Sequence, residues 1–188
     1  TTVTDLSKAD QDNWQNHIQV LMKKPSFLEE EISLTAAEKG TLLHKVMQWL
    51  PLKPMSDEDI RIFLDDLVVQ GFVSLFERKA LKEMHFIQDF LQSTLGRAIC
   101  QVAETVEREV SFTMCVADTI VDGQIDLIFC NEKGWQIVDF KSDRTRDDAK
   151  YQKQLSLYKE ALEKARGIRV SKVHLYWLRH GESSSYEL

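Results

Sequence analysis

The sequence predicts an α/β protein in which a mixed β-sheet is flanked by helices. The first half is expected to be mainly helical, because its apolar residues recur at positions i, i+3 and i+4. From about Val106 the pattern changes, and β-branched and aromatic residues alternate with polar ones as in half-buried strands. The order of helices, three strands, a helix and a closing strand is typical of a sheet covered by helices. A length of 188 residues suits one domain, residues 1–188, with a core of its own.

The helical half begins with a segment that carries few structural signals. Residues 1–32 are expected to be a linker with a short helix. Ser33 or Thr35 is the predicted N-cap of the next helix, because short polar side chains bond the free backbone N–H groups of a first turn. Pro51 is the predicted stop of that helix, since proline cannot continue the backbone hydrogen bonds.

A helical insertion is predicted over residues 51–105. Ser56 is a plausible N-cap for its first helix, which is expected to close near Gly71. Two or three further helices are expected in residues 74–105.

The strand-rich region is expected to fold around a long amphipathic helix. Turn signals are read at 117–118, 122–123 and 131–134. A helix is predicted from Asp147 or Asp148 to Gly167, because a glycine commonly ends a helix in the left-handed conformation. The last strand is predicted over residues 168–179.

Composition excludes several classes of protein. The chain is 43% hydrophobic and 29% charged, as in soluble globular proteins. No apolar run reaches the roughly 18–20 residues that span a membrane, so no membrane partner is expected. Cys100, Cys115 and Cys130 are odd in number and form no CxxC pair, which argues against a disulfide framework, a zinc ribbon and a closed iron–sulfur site. They are expected to be three buried or half-buried thiols in a reducing cytoplasm.

Charge is unevenly distributed along the chain. The net charge is −6, yet the stretch from Lys141 to Lys172 contains ten basic and five acidic residues. A surface built from that stretch could attract a polyanion while the chain as a whole stays acidic. A solvated helix face is the plainer explanation, and the charge pattern does not separate the two.

The turn at Asn131–Gly134 predicts an acidic hairpin. Folding two strands symmetrically about its centre places Asp126 opposite Asp139, and directly opposed side chains lie about 5 Å apart. Lys141 points to the same face as Asp139, since side chains alternate along a strand. The predicted register therefore gathers two carboxylates and a lysine, and a slip of one residue would separate them.

Two carboxylates this close would repel each other unless a cation joins them. Mg²⁺ fits, with Mn²⁺ as a substitute, because these ions take carboxylate and carbonyl oxygens and often bridge to phosphate. Lys141 beside the ion could orient or deprotonate a water, or neutralise charge on a phosphate. An ordinary aspartate–lysine pair on a solvated face is the alternative that geometry leaves open.

Four segments in order resemble the PD-(D/E)XK nuclease superfamily, in its RecB-like branch. "GQIDLIF" followed by "IVDFKSDR" resembles the D…(D/E)xK signature, and "YQKQLSLY" resembles the QxxxY motif of that branch. "AAEKGTLLHKVMQ" resembles its upstream helix, which carries a metal-binding histidine. The likeness implies a restriction-endonuclease-like fold and is greatest to the C-terminal nuclease domain of AddA-type helicase–nucleases.

The resemblance implies a role for each matching position. His44, Asp126 and Asp139 would hold the metal together with the backbone carbonyl of Phe140, and Lys141 would be the catalytic lysine. Seven residues carry these implied roles when the helix after the signature is included: His44, Asp126, Asp139, Phe140, Lys141, Gln154 and Tyr158.

Some of these residues also have plainer explanations. Gln154 and Tyr158 would position the lysine, the water or the DNA strand, but Tyr158 could equally be a core residue and Gln154 a surface residue. A histidine such as His44 on an apolar helix is often a satisfied core residue. Glu38 and Thr41 would support the histidine helix.

The resemblance also implies partners and a cellular role. It implies a Mg²⁺-dependent DNA exonuclease that acts on a single strand during double-strand-break repair by homologous recombination. Its expected partners are a helicase domain of the same full-length chain and an AddB-type protein, in the bacterial cytoplasm near the nucleoid. No GxxxxGK(S/T) motor motif is present in these 188 residues. Two alternatives stay open, a non-catalytic DNA-binding or docking module and a stand-alone CRISPR-associated nuclease.

Overall fold

The computed structural model describes residues 34–81, 85–116 and 119–187 of the chain. The predicted linker and helix of residues 1–32 and the predicted turn at 117–118 lie outside these residues. Six α-helices are described: α1 Ala36–Trp49, α2 Asp57–Val69, α3 Leu75–Ala80, α4 Phe86–Gln92, α5 Thr94–Cys100 and α6 Gln152–Arg166. Five strands are described: β1 Glu107–Val116, β2 Thr119–Asn131, β3 Gly134–Lys141, β4 Val170–Trp177 and β5 Glu182–Tyr186.

α1 and α2 begin where their capping residues predict. Thr35 caps α1 in a capping box, in which its hydroxyl accepts from the backbone N–H of Glu38 and the Glu38 carboxylate accepts from the Thr35 N–H. Ser56 forms the same motif at the start of α2, and Ser74 forms it at the start of α3. A box of this kind contributes about 1 kcal/mol. The predicted start of α6 at Asp147 or Asp148 is wrong, because Asp147 caps a short 3-10 helix over Asp148–Tyr151 and α6 begins after it, at Gln152. Gly167 ends α6 with a φ of 64°, as the glycine stop predicts.

The strands form one mixed sheet in the order β1-β2-β3-β4-β5. Neighbours are antiparallel except β3 and β4, which run parallel because α6 carries the chain back to the start of β4. In the β2–β3 hairpin Leu127 pairs with Val138 and Asn131 with Gly134, which is the predicted register. The α/β class, the mixed sheet and the mainly helical first half of the described chain are therefore confirmed.

Two details of the strand prediction are wrong. The turn expected at Asp122–Gly123 does not exist, because both residues lie inside β2. Gly123 faces Phe112 on β1, and a Cβ on this glycine would lie 2.3 Å from the Phe112 ring. The glycine thus makes room for an aromatic ring within a strand. β5 was not predicted, because its serine-rich sequence lacks the apolar alternation of a strand.

The expected burial of the three thiols is wrong at one position. Cys100 and Cys130 are half-buried, whereas Cys115 is exposed on the edge strand β1.

Apolar side chains cover both faces of the sheet. The first core cluster joins the sheet to α1–α5 and includes Leu127, Val138 and Phe140. The second joins the opposite face to α6 and includes Ile128, Ile137 and Leu155. β3 is therefore a central strand that is buried on both sides, and polar groups along it are removed from water. Within the described ranges, no helix has the length and apolar content needed to cross a membrane.

Candidate active site

Two charged residues lie at the carboxyl end of β3, on the face covered by α6. Asp139 is only 2% exposed, and its Oδ2 lies 2.7 Å from the Nζ of Lys141. That oxygen accepts no well-aligned hydrogen bond from any protein group in the described residues. The Lys141 ammonium is nearly buried as well, since its side chain is 13% exposed. A buried carboxylate held by one ion pair of poor angular geometry is costly to maintain, so packing alone does not explain it.

A second carboxylate lies beside the first at the point where the hairpin ladder stops. The last paired residues are Leu127 and Val138, and Asp126 comes next on β2. Its Oδ2 accepts a hydrogen bond of 2.7 Å from the backbone N–H of Phe140. The side chain of Asp126 therefore takes the place of a backbone partner for β3 and is held against Asp139.

The electrostatics of this pair reflect two charges in a dry environment. Burial first, and then the negative charge of Asp126, raise the pKa of Asp139 to about 6, against the opposing effects of Lys141 and His44. Positive charge at this position would relieve both effects. The positive charge of Lys141 does not fully offset the two carboxylates, so the site favours binding of a further cation.

His44 reaches the carboxylates from α1. Its Nδ1 lies 3.3 Å from Asp126 Oδ1, and its ring meets the edge of Phe140. Burial acts to lower the pKa of His44, but the hydrogen bond and charge of Asp126, with the charge of Asp139, outweigh that effect and raise it. His44 thus contacts a carboxylate of the candidate site and is not a core histidine with only apolar neighbours.

A glycine one turn before His44 allows α1 to approach the end of β3 closely. A Cβ on Gly40 would lie 2.7 Å from the hydroxyl oxygen of Ser142, which follows Lys141 in the chain. Glycine avoids that contact, so the helix that carries the histidine can pack against the strand that carries the lysine. Glu38 and Thr41 act within the helix itself: Glu38 completes the cap, and the Thr41 hydroxyl donates to the Ala37 carbonyl.

Two residues of α6 complete a chain of polar contacts. The Lys141 Nζ donates to Gln154 Oε1 at 3.1 Å, and Gln154 Nε2 donates to the Tyr158 hydroxyl at 2.6 Å. Burial, followed by the charge of Asp139, raises the pKa of Tyr158 to about 12, so its hydroxyl stays protonated near neutral pH. Tyr158 also packs edge-on against Phe112. It is therefore a core residue and a member of the polar chain at once.

Tyr151 also belongs to this cluster, although its position in the sequence fits a loop residue as well as a site residue. Its ring lies 4.2 Å from the Lys141 Nζ, within the range of a cation–π interaction. Its hydroxyl donates to Asp143 at 2.8 Å, which ties the ring to the segment that follows β3. Lys141 is thus held by a carboxylate, an amide and an aromatic face. An aromatic three residues before the QxxxY glutamine was the available signal.

The donors around Asp139 suit a hard divalent cation, although they are not yet arranged as a ligand set. Within the described ranges, no three side chains of His, Cys, Asp or Glu stand ready to hold a metal ion. Asp126 is turned toward His44 and the Phe140 amide, and Asp139 is turned toward Lys141. Two carboxylates, one of which has the under-bonded buried oxygen, and one imidazole nevertheless match the donor chemistry that Mg²⁺ or Mn²⁺ prefers. A Phe140 carbonyl ligand stays a prediction.

Comparison with known proteins identifies the superfamily of the chain. The profile of the PD-(D/E)XK nuclease superfamily matches residues 15–185. The chain is 32% identical to an ATP-dependent helicase/nuclease protein of Alkaliphilus oremlandii (strain OhILAs), over 93% of this chain and 16% of that protein. It is 31% identical to the protein of the same name from Clostridium acetobutylicum, over 89% of this chain and 15% of that protein. A solved structure from Eubacterium rectale superposes with a TM-score of 0.46 and 13% identity, over 85% of this chain and 60% of its own.

The class of protein is that of the nucleases, and a mixed sheet with paired carboxylates and a lysine at one strand end is compatible with that class. The chain belongs to the PD-(D/E)XK nuclease superfamily. It spans about 16% of the length of the first of these relatives, so their full activities are not carried over with the family.

Proposed function

We propose that this chain is a metal-dependent DNA exonuclease domain, with its active site at the carboxyl end of β3. The observation that carries the proposal is the buried group formed by Asp126, Asp139 and Lys141. The mutual repulsion of two neighbouring carboxylates, one of them buried, costs stability unless a cation offsets it, and perturbed groups of this kind cluster at functional sites. The superfamily to which the chain belongs supports phosphodiester hydrolysis as that task.

The proposed ligands are His44, Asp126, Asp139 and the Phe140 carbonyl, with Mg²⁺ as the ion and Mn²⁺ as a substitute. A divalent ion held there supplies Lewis-acid activation of a water and neutralises charge on the phosphate. Asp126 contributes a fixed orientation, since the Phe140 amide holds one of its oxygens. His44 contributes an imidazole that is already directed at the same carboxylate.

Lys141 is proposed to act on the phosphate or on the attacking water. Its ammonium is held in place by Asp139, Gln154 and the ring of Tyr151 before any substrate arrives. A donor held in advance at the site of developing charge costs little reorganisation during the reaction. Gln154 and Tyr158 are proposed to position Lys141, because Tyr158 fixes the amide that bonds the ammonium.

A single DNA strand is the proposed substrate, and its backbone is proposed to be the group that is recognised. Arg144 and Lys153 are exposed and flank the site, the first after β3 and the second in the first turn of α6. In contrast, several basic residues of the stretch 141–172 are neutralised by acids, as Arg166 is by Glu107. Because phosphate contacts carry no base identity, cleavage is expected to depend little on sequence and binding to weaken with salt.

The cellular setting of the proposal rests on the names of the relatives. The two helicase/nuclease relatives are six or more times longer than the matched region, which supports a helicase domain in the same full-length chain. We further propose an AddB-type partner, a role in double-strand-break repair by homologous recombination, and a location in the bacterial cytoplasm near the nucleoid. Residues 1–188 are proposed to act as one nuclease domain, with 51–105 as its helical insertion.

Cleavage assays test the proposal. The purified chain is incubated with single- and double-stranded DNA in Mg²⁺, in Mn²⁺ and in EDTA, beside Lys141→Ala and Asp126→Ala. Asp122→Ala is the matched control, because Asp122 lies on the same strand but is exposed and bonded to Thr113. Metal-dependent cleavage that is lost in both site variants and kept in the control is expected. Cleavage that survives in both site variants would overturn the proposed site.

A further inference from the structure

A second concentration of positive charge lies at the other end of β3 from the carboxylates. A cleft of about 640 Å³ opens there, at the start of β3 and β4, and we call it the β3–β4 cleft. Its lining contains four basic residues and four others: Lys133, Lys159, Arg169 and Lys172, with Gly134, Val170, Ser171 and Glu187. Gly134 is five residues from Asp139, about 17 Å along an extended strand, so the cleft is separate from the proposed active site.

The positive charge of the cleft is less fully offset by acidic residues than the charge of the basic stretch 141–172 elsewhere. Elsewhere in that stretch acids neutralise several of the cations, as Asp143 does for Lys150 and Glu160 does for Lys164. In the cleft the only lining acid is Glu187, which is 77% exposed and lies 3.3 Å from Lys172.

Two of the cleft cations form no ion pair with an acidic residue in the part of the chain that the structure describes. Neither an ion pair nor a hydrogen bond links the side chains of Lys133 and Arg169 to another residue of the described ranges. Both side chains are exposed, so they keep their full charge for a ligand. Their positions beside Gly134 and Ser171 place small residues between the cations, where a bulky anion can approach the backbone.

We propose that the β3–β4 cleft binds the phosphate backbone of a nucleic-acid strand, at a distance from the site of cleavage. The inference rests on the proposed function for its choice of nucleic acid as the polyanion. Its lining favours phosphates over a protein segment, because Val170 is the only apolar side chain among the lining residues and is buried. A peptide would find almost no apolar surface to cover, whereas a backbone of regularly spaced charges would gain from each cation.

A salt titration tests the cleft. The 188-residue chain is titrated with a fluorescein-labelled oligothymidylate in EDTA, where no hydrolysis occurs, at several salt concentrations. Lys133→Ala/Arg169→Ala is compared with Lys53→Ala/Lys79→Ala, a control that removes two exposed cations from the helical half. Each lost phosphate contact lowers the slope of log affinity against log salt by about 0.7 for a single strand.

The expected result is a slope lowered by about 1.4 in the cleft variant and unchanged in the control. Cleavage in Mg²⁺ at saturating DNA should be equal in both, because neither pair touches the carboxylates. Equal slopes and affinities in the parent and the cleft variant would overturn the inference, and an acidic protein segment would then be the ligand to test. If the parent fails to cleave DNA while the cleft variant still shows the lowered slope, the proposed function fails and the phosphate site stands.

Discussion

β3 carries two buried polar clusters whose energetics are opposite. At its carboxyl end, Asp139 is buried beside another carboxylate and lacks a well-aligned hydrogen bond. Near its start, Gln136 lies beside His174 of β4, and both are almost equally buried, at 4% and 7% exposure. Here the side-chain hydrogen bonds pair donors with acceptors. His174 Nε2 donates to Gln136 Oε1 at 2.8 Å, and its Nδ1 lies 2.7 Å from the Ser185 hydroxyl. We call this second group the neutral cluster.

The difference separates a buried group that stabilises the fold from one that is kept for chemistry. In the neutral cluster Gln136 also donates to Asn131 at 2.9 Å, so its amide joins the hairpin turn to β4. Such satisfied neutral groups stabilise by about 1 kcal/mol per hydrogen bond. The Asp139 end holds two neighbouring carboxylates instead, and a bound cation would balance their mutual repulsion. One strand thus serves structure at its start and the proposed reaction at its end.

The largest expected effect comes from removing charge at the Asp139 end. Asp139→Asn should lower metal-dependent cleavage by at least about 10²-fold, as expected for loss of a central electrostatic group. Its free energy of unfolding should stay near the parent value, because the amide keeps the shape and removes the repulsion with Asp126. His174→Gln is the counterpart, with cleavage near pH 7.5 retained. Cleavage rates and urea unfolding curves measure both, and an inactive but unfolded Asp139→Asn would not support the contrast.

The next effect is an acid-dependent loss of stability that arises from the neutral cluster. Burial, with the charge of Lys172, lowers the pKa of His174 to about 4, so the folded state stays neutral where the unfolded state takes up a proton. The contribution of His174 to the free energy of unfolding is therefore fully present above pH 6.5. It falls by about 3 kcal/mol as the pH is lowered from 6.5 to 4.

His174→Gln is the control for this pH dependence. Urea unfolding at pH 7, 5 and 4 should show a smaller acid loss in His174→Gln than in the parent. Taking the difference between the two proteins removes the contribution of Asp139, whose raised pKa acts in the opposite direction. Parallel pH profiles in the two proteins would contradict a neutral buried histidine.

A smaller effect is expected at Tyr151, which connects aromatic packing to the charged end. Tyr151→Leu should lower cleavage about fivefold, because a cation–π contact contributes about 1 kcal/mol. Tyr151→Phe should retain most of that activity, since only the hydrogen bond to Asp143 is lost. A double-mutant cycle with Lys141→Arg measures the coupling. Additive losses would show that Tyr151 does not act through Lys141.

The smallest effect is expected where α1 meets the end of β3. Gly40→Ala places a methyl group 2.7 Å from the Ser142 hydroxyl oxygen, so the serine must rotate or the helix must move. Cleavage should fall a few-fold, in line with an overpacking cost of about 1 kcal/mol. Ser142→Ala in the same chain removes the clashing oxygen and should restore the activity. A loss that persists in the double variant would place the cause elsewhere.

The amount that could be predicted from sequence differs along the chain. Capping residues and apolar spacing predict the helices, and the turn centre at Asn131–Gly134 predicts the register that places Asp126 beside Asp139. These signals are local, so a single sequence contains them. The contact of His44 with Asp126 spans 82 positions, and no periodicity predicts it. The expectation that His44 joins the carboxylates came only from the resemblance to a nuclease superfamily.

The features that were missed depend on tertiary packing. Gly123 resembles a turn residue until the Phe112 ring is seen to occupy the space of its missing side chain. β5 is polar and pairs at the edge of the sheet, where little apolar surface is needed. His174 had no partner pattern in sequence, because Gln136 and Ser185 come to it from two neighbouring strands.

Metal binding to the two ends of β3 tests the central claim most directly. Calorimetric titration with Mn²⁺, without DNA, measures whether the charged end takes up a cation. The account predicts binding to the parent and to His174→Gln, with a matching rise in unfolding temperature, because a ligand of the folded state stabilises it. It predicts no such binding to Asp139→Asn or Asp126→Asn. Equal Mn²⁺ affinity in Asp139→Asn and the parent would contradict the proposed site.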